Sequence, residues 1–173
     1  MIRTTVFAAL ILLGGCASMS PEECQTVEWY EQGMRDGQRG YPLARSDSHR
    51  EACAKVGVGL DLRRYQAGHS MGIREYCTPD VGLREGRLGR GYQNSCPPSL
   101  EHGFLQAYQA GYRVYRAQQE VDRLDRELMS KQRELDKAKN DGARSRLRKN
   151  LRNLDQRLRE ARNEVYYAER ELR

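Results

Sequence analysis

Residues 113–172 read RVYRAQQEVDRLDRELMSKQRELDKAKNDGARSRLRKNLRNLDQRLREARNEVYYAEREL, with no proline and no cysteine and with Gly142 as the one glycine. Val114, Ala117, Val121, Leu124, Leu128, Lys131, Leu135 and Ala138 recur at alternating steps of three and four, and so do Leu147, Leu151, Leu154, Leu158, Ala161, Val165, Ala168 and Leu172. Two seams at this spacing, with charged residues between them, are the pattern of coiled-coil helices. The step from Ala138 to Leu147 is nine residues. At about 100° per residue it would put the two seams of one straight helix on opposite faces. A reversal at Asn140-Asp141-Gly142, which are turn-forming residues, restores one shared seam. The spacing predicts an antiparallel helical hairpin with arms of about 26 residues, roughly 39 Å long. One continuous helix serving a dimer is the other arrangement the pattern allows.

The chain N-terminal to this segment is built differently. Residues 16–112 hold all five prolines and every cysteine of the chain. Charge changes at the same boundary. Residues 17–112 carry eleven Lys/Arg against twelve Asp/Glu, whereas residues 113–173 carry eighteen against twelve, so the basic balance of the chain belongs to its C-terminal part. Helix starts are marked by Ser20-Pro21-Glu22-Glu23, by Asp61, by Thr78-Pro79-Asp80 and by Pro97-Pro98-Ser99, the last opening a helix expected to run on into the tail. Ser48 followed by Glu51 resembles a capping box. No stretch alternates with period two, so an all-α fold is expected: a small disulfide-stapled helical domain, residues 16–112, followed by a basic coiled-coil hairpin, residues 113–173.

At the N-terminus, Arg3 precedes an eight-residue apolar run, Val6 to Leu13. That run spans only about 12 Å as a helix, too short for a bilayer core of about 30 Å, and reads as an export signal. Leu13-Gly14-Gly15-Cys16 then places a branched apolar residue and two small ones ahead of a cysteine. This is the arrangement in which residues 1–15 are removed and the Cys16 thiol carries a lipid, with palmitate-type acyl chains completing the anchor. Each buried CH₂ contributes about 0.8 kcal/mol, and stable anchoring needs more than one chain. Ala17 in the next position points to the outer membrane, facing the periplasm.

With Cys16 assigned to lipid, Cys24, Cys53, Cys77 and Cys96 remain, an even number in an exported chain and hence two expected disulfides. Three pairings are open; loop-closure entropy favours Cys24 with Cys53 and Cys77 with Cys96. An oxidising compartment and the lack of a Cys-x-x-Cys pair argue against a metal, and no cofactor is expected.

Tyr30-Glu-Gln-Gly33, Tyr65-Gln-Ala-Gly68 and Tyr108-Gln-Ala-Gly111 repeat one element, each followed four residues on by Gly37, Gly72 or Tyr115. Gly82, Gly86, Gly89 and Tyr92 look like a divergent copy. Glycine costs a helix about 1 kcal/mol relative to alanine, so paired glycines on one face imply close approach of another group. Either Tyr30, Tyr65, Tyr92 and Tyr108 line a groove that stacks on a sugar or peptide, or tyrosines fill glycine notches to build a core. The order of Cys24, Trp29-Tyr30, Gly33, Asp36-Gly37, Gly40, His49, Cys53, Asp61, Tyr65, Gly68, Gly72, Tyr76-Cys77-Thr78-Pro79, Gly86-Arg87, Gly89, Tyr92 and Cys96-Pro97 resembles the bacterial lipoprotein family called domain of unknown function 2799. The resemblance covers roughly residues 16–112 and implies an envelope lipoprotein without assigning catalytic residues.

No catalytic residue stands out. His49 lies one helical turn before Cys53, but a disulfide would consume that thiol, and Asp36 and Asp61 read as loop or cap residues. The chain has no Gly-x-Ser-x-Gly elbow, phosphate loop or His-Glu-x-x-His. Arg144, Arg146, Arg148, Lys149 and Arg152 crowd five cations into nine residues, a candidate anion-binding cluster. Its targets in the envelope would be lipid phosphates or polymer carboxylates rather than nucleic acid. The sequence therefore points to a non-catalytic scaffold or adaptor, held to the membrane by lipid and meeting an envelope protein or an anionic polymer through its tail. A lipoprotein that binds a small ligand, glycan or peptidoglycan on the tyrosine-glycine surface is the alternative. Cys16→Ser should abolish acylation detected by mass spectrometry and move the protein from the membrane to the soluble fraction. Unchanged partitioning would mean that lipid is not the anchor.

Overall fold

The computed structural model describes residues 18–172, so the expected leader 1–15 and the lipidation position Cys16 lie outside the described residues. Seven helices follow in order among the described residues: α1 Pro21–Thr26, α2 Trp29–Gln38, α3 Arg45–Ala54, α4 Leu62–Tyr76, α5 Pro79–Arg87, α6 Pro98–Lys137 and α7 Asp141–Arg170. No strand occurs among them, and the fold is all-α as expected.

Most helix starts follow local chemistry. Ser20 and Glu23 form a reciprocal capping box, with the Glu23 amide donating to Ser20 Oγ at 3.2 Å and the Ser20 amide to Glu23 Oε2 at 2.6 Å. Asp61 accepts from the Arg64 amide at 3.0 Å and Thr78 from the Val81 amide at 3.3 Å. The Ser48–Glu51 box does not form. The Arg45 amide bonds the Pro42 carbonyl at 2.9 Å, so α3 begins at Arg45 and Ser48 lies inside it.

Two parallel helix pairs, α2 with α4 and α5 with α6, form the stapled domain. Both are in backbone-to-backbone contact at glycine. A Cβ on Gly33 would stand 2.0 Å from the Tyr65 carbonyl oxygen, and one on Gly68 would stand 1.9 Å from that of Tyr30. Gly37 faces the His69 carbonyl and Gly72 that of Met34, so the contacts are reciprocal along the pair. In the second pair Gly82, Gly86 and Gly111 face the carbonyls of Phe104, Tyr108 and Leu83. Where a side chain is absent, the Cα hydrogen meets an oxygen across the interface, a weak but repeated attraction.

The pairs are copies of one unit. Gly33, Gly37 and Gly40 recur 49 positions later as Gly82, Gly86 and Gly89; Tyr65, His69, Gly72 and Tyr76 recur 39 positions later as Phe104, Tyr108, Gly111 and Tyr115. Their bonding is equivalent too. The amides of Gly40 and Tyr41 bond the carbonyls of Gly37 and Asp36, as those of Gly89 and Arg90 bond Gly86 and Glu85. This is the Schellman closure, with Gly40 at φ 75° and Gly89 at φ 66°. The rings of Tyr76 and Tyr115 cover these two glycines. Cys24–Cys53 staples the first unit across 29 residues and Cys77–Cys96 the second across 19, the pairing that loop entropy favoured. Each closure contributes about 3 kcal/mol on the chain-entropy model.

α6 has 40 residues. Its first turns carry Phe104, fully buried in the second unit, and its later turns pair antiparallel with α7. Val121, Leu124, Leu154, Leu158 and Ala161 are the buried seam, with Leu128 and Val165 against it. The helix breaks at Ala138, and Asn140 caps α7 by accepting from the Ala143 amide at 3.1 Å. The reversal thus falls two residues earlier than Asn140-Asp141-Gly142, the last two of which already belong to α7. Gly68→Ala should lower stability by about 1–3 kcal/mol in urea unfolding, because the overpacked pair must separate despite the better helix propensity of alanine. Gly59→Ala, where a Cβ meets open space, should leave stability within about 0.5 kcal/mol.

Candidate functional site

The two units differ in how they treat one buried acid. Asp36 and Glu85 occupy equivalent places on α2 and α5 and are 1 % and 8 % exposed. Glu85 is closed by Arg90, whose guanidinium donates at 3.1 and 3.3 Å. Asp36 sits in a larger network. Its Oδ2 accepts from Tyr65 Oη at 2.8 Å, from His49 Nε2 at 2.7 Å and from Gln32 Nε2 at 3.2 Å, and Arg45 Nε lies 3.5 Å from Oδ1. Phe104 stands in the second unit where Tyr65 stands in the first, so Glu85 has no phenol donor there and takes its hydrogen bonds from Arg90. His49 Nδ1 lies 2.9 Å from Ser18 Oγ. An ionised Asp36 can only accept, so Nε2 carries a proton and Nδ1 faces the serine.

Burial opposes the charge on Asp36, but hydrogen bonds from His49, Tyr65 and Gln32 outweigh it and hold the carboxyl below its ordinary value. Burial, then the neighbouring Asp36 charge, push the Tyr65 phenol far up, so it stays a donor.

Ser18, His49 and Asp36 stand in the order of a hydrolase relay, a constellation with no local sequence signature. Its geometry suits a clamp better. The imidazole is 0 % exposed and each of its nitrogens faces one partner, Asp36 or Ser18, so it ties the entering segment to the buried acid. Beside Ser18, Met19 is buried against Cys24, Trp29, Cys53 and Tyr65. The two residues fix the N-terminal segment to the domain at its first described positions. A cleft of about 560 Å³ opens beside the clamp, lined by Ser18, Gln32, Arg35, Asp36, Arg39 and Arg45 among others. Asp36 is therefore a buried helix residue rather than a loop or cap, and His49 and Cys53, both fully buried on α3, do different work, the cysteine being in its disulfide.

The four tyrosines do not form one ligand surface. Tyr65 is fully buried, and Tyr92 and Tyr108 pack around Phe104 at centroid distances of 5.0 and 6.1 Å. Tyr92 also donates to Glu101 at 2.9 Å, and Tyr108 to the Arg90 carbonyl at 2.7 Å. Tyr30 belongs to the first unit, where its carbonyl covers Gly68. A domain poor in large aliphatics uses its aromatic rings as core, and its glycine notches admit mainly backbone.

The family model described as Protein of unknown function (DUF2799) matches residues 28–113. The stapled domain belongs to that family. No curated protein and no solved structure matches the chain. The matched span takes in all four glycine-packed helices of the DUF2799 domain and stops where α6 leaves it, so the hairpin and the Ser18–Met19 segment lie outside it.

In the hairpin the five-cation cluster divides. Arg144 donates to the Ala138 and Leu135 carbonyls at 3.0 and 3.4 Å, closing the C-terminus of α6, and is not a free anion ligand. Arg146, Arg148, Lys149 and Arg152 are exposed and make no ion pair among the described residues.

Asp36→Ala in the DUF2799 domain should destabilise it by about 3–5 kcal/mol, since His49, Tyr65 and Gln32 lose their acceptor. The lowered Asp36 pKa also sets a pH dependence. Its stabilisation is complete above the ordinary carboxylate range near pH 4 and fades as pH falls through the depressed value. Asp36→Asn should flatten that acid limb in urea unfolding followed against pH; an unchanged limb would assign it to other carboxylates.

Proposed function

We propose that the protein is a lipid-anchored scaffold or adaptor of the cell envelope, non-catalytic, that presents its hairpin to partners from the periplasmic face of the outer membrane. The observation that carries this reading is α6. One unbroken helix is core to the stapled domain at Phe104 and is an arm of the hairpin at Val121 and Leu124, so the two parts cannot swivel independently. At the other end, Ser18 and Met19 are clamped two and three residues after the expected lipid position, leaving little slack between membrane and domain. Anchor, staple and rod together suit a rigid mount. From Tyr115, whose ring still packs on Gly89, to Lys137 the rod projects about 33 Å.

The test is affinity capture from detergent-solubilised membranes with the intact protein and with a chain shortened by replacing residues 131–152 with a short glycine turn. Scaffolding through the tail expects captured proteins to be lost on shortening, with the disulfides and helix signal of the domain retained. Undiminished capture by the shortened chain would move recognition to the DUF2799 domain and favour a ligand-binding lipoprotein instead.

A further inference from the structure

The charge of the hairpin is concentrated at its closed end. Residues 131–152 hold nine Lys/Arg against three Asp/Glu, an excess of six, and the whole chain holds 30 against 24. Everything outside these 22 residues is thus balanced. The fold brings cations of both arms together at the reversal: Arg133, Lys137 and Lys139 from the α6 side join Arg146, Arg148, Lys149 and Arg152 of α7. All of them are exposed and none is in an ion pair among the described residues. Of the three acids, Glu134 is taken by Lys131 at 2.9 Å and Asp136 accepts from Gln132 at 3.0 Å, which leaves Asp141 at the start of α7.

We propose that this tip is a docking surface for an anionic lipid bilayer, bound through its phosphate headgroups. The proposal rests on the reading of the hairpin as the contacting element and names what its end contacts. Two observations favour a bilayer over other polyanions, and a third sets the mode of contact. First, the cations line the outer ends of both arms, reaching about 17 Å back along α7, on an exposed surface two helices wide and about 20 Å across, which matches a plane of charge rather than a single strand held in a groove. Second, residues 131–152 contain no Phe, Tyr, Trp or His, so the tip has nothing to stack on sugar rings or bases. Third, none of the large exposed apolar residues falls in this span; Met129 is the nearest. Contact is therefore electrostatic and superficial, without insertion, and sensitive to salt. A chain with lipid at one end and this tip at the other would touch lipid surfaces at two separate points.

Sedimentation with vesicles tests this, using the unlipidated chain from residue 17 onward, which contains every described element. It should bind vesicles of phosphatidylcholine mixed with phosphatidylglycerol, ignore phosphatidylcholine alone, and be released as salt rises towards about 0.5 M. Arg146→Glu, Arg148→Glu, Lys149→Glu and Arg152→Glu combined should weaken binding on the order of a hundredfold while leaving the melting profile of the stapled domain in place. The matched control reverses four exposed cations of the domain that make no ion pair among the described residues, Arg39, Lys55, Arg63 and Arg74, and should retain most of the binding. Equal loss in both variants would overturn the proposal by showing a general effect of net charge. Tip-dependent retention on isolated peptidoglycan sacculi, with no vesicle binding, would overturn it in favour of a carboxylate polymer. Neither result alters the capture of proteins by the hairpin, which stands or falls separately.

Discussion

The absence of a Cβ at seven helical glycines is the constraint on which the domain rests. Each of Gly33, Gly37, Gly68, Gly72, Gly82, Gly86 and Gly111 places its Cα against a backbone group of the partner helix. Helices packed through side chains normally sit 8–10 Å apart, and such packing needs large aliphatics to fill the gap. This domain has few of them and closes the gap instead. The conformational cost of glycine, about 1 kcal/mol each, is offset by backbone contact, by the rings that surround it and by the two disulfides. The three small cores follow from that choice: one at Cys24–Cys53, one around Phe104 at Cys77–Cys96, and a thin leucine seam in the hairpin.

Duplication of the unit acts as an internal control on what the fold requires. Both copies keep a buried acid one residue before the second glycine and close the helix with the same pair of amide bonds. In the second copy Arg90 hydrogen-bonds the acid and Arg84 lies 3.7 Å from it. The first copy adds His49, Tyr65, Gln32 and Arg45, and through His49 it reaches Ser18. The addition occurs where the chain enters the domain, whereas the second copy is entered directly from α4. The elaborated network is thereby explained as the fastening of the entering segment rather than as a demand of the helix pair.

The hairpin obeys different physics. Its seam is narrow, and its flanks are held by exposed pairs such as Arg113–Glu171 and Arg162–Asp125, each worth only a fraction of a kcal/mol. Its direction is set by continuity of α6 with the domain, and the exposed pair Arg87–Glu169 adds a weak link from α5 to α7. Arginines near the start of a helix oppose its dipole. In the antiparallel arrangement they lie beside the C-terminus of α6, where the dipole favours cations and where Arg144 finds two open carbonyls.

Features that depend on residues close in the chain are legible in the sequence alone. Seam spacing and the half-turn phase break favour the hairpin over one continuous helix, the caps at Ser20, Asp61 and Thr78 locate helix starts, and short loops favour the observed disulfides. Glycine spacing likewise announces close approach, because an i, i+4 pair must share a helix face. What approaches is decided elsewhere. Whether a glycine meets a carbonyl or a ring depends on the register between helices some thirty residues apart, and only packing sets that register. For the same reason Tyr65 becomes a core donor to Asp36, Asp36 becomes the centre of a network reaching Ser18 and His49, and Ser48 loses its cap to a turn begun at Pro42. Arg144 is drawn from an apparent anion cluster to the end of the opposite helix. Local sequence determined most helix starts, the number of staples and where the charge lies. Tertiary structure decided which polar groups are buried together, since a buried carboxylate must gather its donors from wherever the fold brings them.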